Sequence, residues 1–92
     1  MARVVVTLRI MPQTTEIDLS DLETKAKKEI VAFCNSEEFK TQIVPVAFGL
    51  KALNILFVME ENIGTTDKLE TTISQISGVE SVEVTDVRRA VG

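Results

Sequence analysis

The sequence has no histidine, tryptophan or tyrosine, and only one cysteine, two prolines and four glycines among 92 residues. Without histidine it lacks the commonest general base and the commonest transition-metal ligand. A lone thiol, Cys34, excludes an internal disulfide, an iron–sulfur cluster and a paired-cysteine metal site, and it fits a reducing compartment. No stretch reaches the roughly 20 apolar residues of a membrane-spanning helix. The opening MARVVVTLRIMPQ is broken by Arg3 and Arg9, too soon for the apolar region of a secretory signal. The expectation is a cytoplasmic protein that is not an enzyme and carries no cofactor or metal.

Fourteen acidic residues against ten basic ones give a net charge of −4. That balance disfavours a broad grip on nucleic acid phosphates, so no direct nucleic-acid partner is expected. With 45% hydrophobic and 26% charged residues, the composition is that of an ordinary globule. A chain of 92 residues makes one domain, burying roughly 60–70% of its unfolded surface.

The apolar residues that are present alternate clearly. Val4, Val6, Leu8 and Ile10 occupy every second position of Arg3–Met11, the period of a strand with one core face, and Pro12 is expected to stop its ladder. From about Asp18, the residues Leu19, Leu22, Ala26, Ile30 and Phe33 recur at three or four, which predicts a helix ending at Asn35 and Ser36. A weaker strand over Glu38–Val44 and a stronger one over Ala52–Glu60 follow. In the latter Leu53, Ile55, Phe57 and Met59 share one face and Asn54, Leu56 and Val58 the other, the two-sided apolar pattern of a central strand. Thr66 or Asp67 would cap a second helix of about three turns carrying Leu69, Ile73 and Ile76, closed at Gly78. The last strand runs from Val79 to Val87.

Strand, helix, strand, strand, helix, strand is the ferredoxin-like βαββαβ order, an α+β two-layer sandwich with both helices on one face of a four-stranded antiparallel sheet. Its open face would show Val5, Thr7, Arg9, Asn54, Leu56 and Val58. RNA reading on that face needs aromatics on the central strands, and Phe57 is expected to point the other way. Glu60, Glu61 and Asp67 read as a solvated turn, since no calcium-loop spacing is present. Cys34 reads as a small buried hydrophobe. Arg88 and Arg89 end the last strand, where a solvated terminus and a functional role are equally open.

One short stretch stands apart. Pro45-Val46-Ala47-Phe48-Gly49-Leu50-Lys51 places one of four phenylalanines beside the glycine of a turn. The ring is either tucked beneath its loop or held out for a partner.

This stretch, continuing into Ala52-Leu53-Asn54-Ile55, resembles the signature of the guanine-nucleotide-exchange domain of translation elongation factor 1-beta. Glu60-Glu61, Gly64-Thr65 and the helix opening Asp67-Lys68-Leu69-Glu70 are similar to the family's acidic turn and second helix. The opening Arg3–Pro12 and the closing Gly78–Arg89 are similar to its short archaeal members, so the likeness covers nearly the whole chain, read as a single domain over residues 1–92. The resemblance implies a ferredoxin-like protein that binds the elongation factor 1-alpha GTPase and hastens GDP release so that GTP can enter, without covalent chemistry. It implies that Phe48 enters an apolar pocket of the partner, that Gly49 lets the backbone approach, that Pro45 holds the preceding chain extended, and that Lys51 adds a rim charge. Eukaryotic members carry a penultimate lysine that reaches the magnesium and phosphate site. Here Val91 stands in that place, which leaves Arg88 or Arg89 as the substitute cation. Two other readings are a small-ligand regulatory module of the ACT type, suggested by Ile76-Ser77-Gly78-Val79, and a structural module that dimerises through Val5, Leu56 and Val58.

Overall fold

A computed structural model describes residues 2–36 and 38–89. The elements are β1 (Arg3–Pro12), α1 (Leu19–Cys34), β2 (Phe39–Pro45), β3 (Lys51–Glu60), α2 (Asp67–Ser74) and β4 (Val79–Arg89). They form one antiparallel sheet in the order β2-β3-β1-β4. β1 and β3 are therefore central, as the expected ferredoxin-like α+β sandwich requires.

Alternation fixes the two faces. Val6, Leu8 and Ile10 of β1 and Leu53, Ile55, Phe57 and Met59 of β3 are buried together with Leu22, Ala26 and Ile30 of α1 and Leu69 and Ile73 of α2. Each strand thus sends its alternate residues under the helices, and a slip of one residue would reverse both faces. Phe57 lies in this core at 1% exposure. On the open face Val5 opposes Val58, Thr7 opposes Leu56 and Arg9 opposes Asn54, and all six are half-buried.

The helix ends follow local chemistry. Asp18 caps α1 by accepting from the Ser20 backbone N–H at 2.9 Å, and Asn35 closes it in the left-handed conformation with its N–H on Val31 O. The second helix is shorter than its periodicity predicts, ending at Ser74 instead of reaching Ile76. Past Ser74 the chain tightens, Gln75 N–H donating to Thr72 O at 3.2 Å and Ile76 N–H to Ile73 O at 3.0 Å, the three-residue spacing of a tighter turn. Ile76 still packs against the core from the turn. Thr66 occupies the N-cap position without a side-chain cap bond, its hydroxyl donating instead to Glu70 Oε2 at 3.1 Å.

Two further boundaries differ. Pro12 does not stop the ladder but is its last rung, buried and opposite Val79 after a register shift. β4 carries a bulge, because Leu8 opposes Val84 while Thr7 opposes Asp86, leaving Thr85 as the extra residue. The bulge resets the alternation: Val82 and Val84 face the helices, and beyond it Val87 and Arg89 do so while Asp86 and Arg88 take the open face.

Candidate functional site

The hairpin joining β2 to β3 is built around Phe48. Leu50 N–H donates to Ala47 O at 3.2 Å and Val46 N–H to Leu50 O at 2.8 Å, and below them Pro45 opposes Lys51 as the last rung. Phe48 has φ 60 and ψ 31, and Gly49 has φ 77. Two successive positive φ angles are what a tight hairpin with the twist of its strands demands. Glycine adopts that conformation freely, whereas a side chain there costs roughly 1–2 kcal/mol. Space is not the constraint at Gly49, where an added Cβ would meet only Thr15 Cγ2 at 3.8 Å.

The Phe48 side chain is not tucked beneath the loop. It is 95% exposed, so the turn carries a strained aromatic residue that contributes nothing to its own core. A fully buried phenylalanine stabilises a fold by about 1.5–3 kcal/mol, and here that contribution is forgone. Backbone strain that packing does not offset makes Phe48 the leading candidate residue of the site.

The hairpin holds Pro45, Phe48, Gly49 and Lys51 within seven residues, all exposed. Arg88 and Arg89 are elsewhere. Arg88 opposes Val5, which in turn opposes Val58, seven residues along β3 from Lys51 and therefore about 23 Å away at the strand rise. Arg88 Nε pairs with Asp86 at 2.8 Å, and Arg89 Nη2 pairs with Glu61 at 3.0 Å. All four side chains are substantially exposed, so each pair stabilises by no more than about 1 kcal/mol. Val91 lies outside the described residues.

The remaining candidates have local explanations. Glu61 turns to Arg89, and among the described residues no three His, Cys, Asp or Glu side chains gather as a metal site would need. Cys34 is half-buried rather than fully buried, with Sγ donating to Ile30 O at 3.4 Å. Burial pushes its thiol pKa up, and a hydrogen bond from the Ser36 backbone only partly offsets this. Among the described residues no helix is long and apolar enough to cross a membrane.

Two features escaped the sequence reading. Ile43 and Val44 of β2 are exposed at 54% and 37%, although an apolar pair in a strand reads as core. Asn54 Oδ1 and Glu60 Oε2, both on open-face positions of β3, are buried without a hydrogen-bond partner. The available signal for the first was that Thr41–Leu50 contains no charged residue at all.

The chain is 39% identical over 89 residues to elongation factor 1-beta of Methanobrevibacter smithii, covering 97% of this chain and 98% of the relative. It is 43% identical over 91 residues to elongation factor 1-beta of Staphylothermus marinus, again covering 97% and 98%. Among solved structures, the de novo designed protein Foldit4 superposes with a TM-score of 0.61 over 98% of both chains at 20% identity, a likeness of fold alone. The model of the EF-1 guanine nucleotide exchange domain matches residues 5–90, a span that includes the Phe48 hairpin, both central strands and the bulged end of β4, and the chain therefore belongs to the EF-1 guanine nucleotide exchange domain family.

Proposed function

We propose that this protein promotes GDP release and GTP reloading on elongation factor 1-alpha in the cytoplasm, by docking Phe48 and its hairpin on that GTPase. The observation that carries the reading is Phe48 itself, 95% exposed on a left-handed backbone in a chain of the exchange-domain family. An exposed aromatic on a rigid turn is the form of an interface anchor that fills a partner's pocket. Gly49 supplies the second positive φ, Pro45 holds the approach of β2 extended, and Lys51 stands at the rim of the same hairpin.

Exchange of this kind needs no bond to be made or broken. A factor that binds the nucleotide-free GTPase more tightly than the GDP-bound form weakens GDP by the same factor, because the two binding equilibria are linked. The required surface is one that complements a distorted partner, and a preformed hairpin does so with little ordering cost.

Arg88 or Arg89 supplies the cation near the partner's phosphates in this reading. Their pairs with Asp86 and Glu61 are exposed and cheap to break, and a guanidinium suits phosphate oxygens. The separation of about 23 Å along the sheet means that the hairpin and the arginines touch different parts of the GTPase. The test is release of fluorescent GDP from the cognate GTPase: the wild-type chain at micromolar concentration accelerates it in the presence of excess GTP, and no acceleration would reject the reading.

A further inference from the structure

The two edges of the sheet are protected unequally. β4, one edge, carries Glu80, Glu83, Asp86, Arg88 and Arg89 and is bent by the Thr85 bulge. Charges and bulges of this kind are how natural sheets keep foreign strands from pairing with an edge. β2, the other edge, has one charged residue, Lys40, near its start, a proline, Pro45, only at its last position, and no bulge against β3. From Thr41 through Leu50 the chain has no charge, and Ile43, Val44 and Phe48 are all exposed.

Ile43 and Val44 are neighbours in a strand, so they point to opposite faces of the sheet. Ile43 opposes the core residue Leu53 and Val44 opposes Ala52, which places Ile43 on the helix side and Val44 on the open side. A flat surface resting on either face would touch only one of them. An extended segment lying alongside β2 touches both and also meets the edge's unpaired backbone donors and acceptors, the mode of β-strand addition.

We propose that the outer edge of β2, from Thr41 to Pro45, is a second contact line for the GTPase that takes Phe48, receiving an uncharged extended segment of that partner between Ile43 and Val44. The inference rests on the docking role of Phe48, because the edge and the aromatic belong to one hairpin and a partner seated on the turn lies next to the strand. A second copy of this chain fits less well, since two molecules each of net charge −4 repel.

The test uses the variant Ile43→Lys/Val44→Lys, which gives β2 the kind of charge that β4 already carries. Both side chains are more than one-third exposed, so the melting temperature is expected to stay near that of wild type. Val31→Lys, on the outer side of α1 at 40% exposure, serves as the control. In GDP-release titrations against the cognate GTPase, the edge variant requires at least tenfold more protein for half-maximal acceleration, and Val31→Lys behaves as wild type. If the folded edge variant matches wild type while Phe48→Ala is impaired, the edge contact is wrong and the docking role of Phe48 stands. If Phe48→Ala also matches wild type, the docking role itself falls and the edge proposal with it. Dimers in analytical ultracentrifugation that the edge variant dissolves, with exchange unchanged, would assign β2 to self-association and overturn the proposal.

Discussion

Arg88 and Arg89 are adjacent in the chain yet leave the sheet on opposite faces: Arg88 opposes Val5 of the open face, and Arg89 opposes Val4 of the helix side. The Thr85 bulge governs which arginine takes which face, because the alternation before it would have assigned them the other way. They are therefore two separate cations, one paired with Asp86 and one with Glu61. Replacing both by alanine is expected to slow GDP release at unchanged fold. Each single variant is expected to shift stability by no more than about 1 kcal/mol, a shift that shrinks further in high salt. Thermal melts in low and high salt check the stability, and stopped-flow GDP release checks the role; an unchanged exchange rate in the double variant would remove the arginines from the mechanism.

The turn itself offers a separation of stability from function. Phe48 bears the left-handed backbone cost without burial, so Phe48→Gly is expected to stabilise the fold by about 1 kcal/mol while requiring at least tenfold more protein for half-maximal exchange. Gly49→Ala goes the other way, losing about 1 kcal/mol at φ 77 although the site has room for the methyl group. Urea titrations of both variants measure the sign directly.

Cys34 makes a pH prediction. Its thiol pKa is raised by burial, so the folded chain holds the proton where the unfolded chain releases it. The thiol's contribution is complete below the ordinary thiol value and is lost as pH rises toward the folded one. Stability of the wild type is therefore expected to fall with alkaline pH more steeply than that of Cys34→Ala, and iodoacetamide is expected to modify native Cys34 more slowly than the unfolded thiol.

In the core, Ile55→Ala removes a residue of 0% exposure from the centre of β3. A loss of about 2–5 kcal/mol is expected, spread by how far the helices above can close the cavity. Chemical denaturation gives the value, and a loss under 1 kcal/mol would contradict the packing described for this face.

Much of this architecture was legible in the sequence. The alternation of Val4, Val6, Leu8 and Ile10, the three-and-four spacing from Leu19 to Phe33, and the two-sided apolar pattern of β3 each reflect a burial demand that repeats along the chain. Three features were not legible, because each depends on tertiary geometry. The chain leaves α2 at Ser74 for tightened turns leading to Gly78, whose carbonyl accepts from the distant Gln13 N–H, the Thr85 bulge reversed the parity of β4 without any glycine to mark it, and Ile43 and Val44 lie exposed because β2 is an edge. For the candidate site, the aromatic and its glycine were visible as an oddity, while the left-handed backbone of Phe48 and its near-complete exposure required the folded hairpin. The separation of the two arginines from that hairpin followed only from strand register.

The most direct test of the central claim is a titration of fluorescent GDP release from the cognate GTPase with wild type and Phe48→Ala, matched for melting temperature. The exposed ring makes no internal packing contribution, so the variant is expected to remain folded. If Phe48 is the anchor, the variant should need at least tenfold more protein for half-maximal acceleration, as a hot-spot truncation of about 1.4 kcal/mol or more demands. A folded Phe48→Ala protein with wild-type acceleration at every concentration would contradict the account.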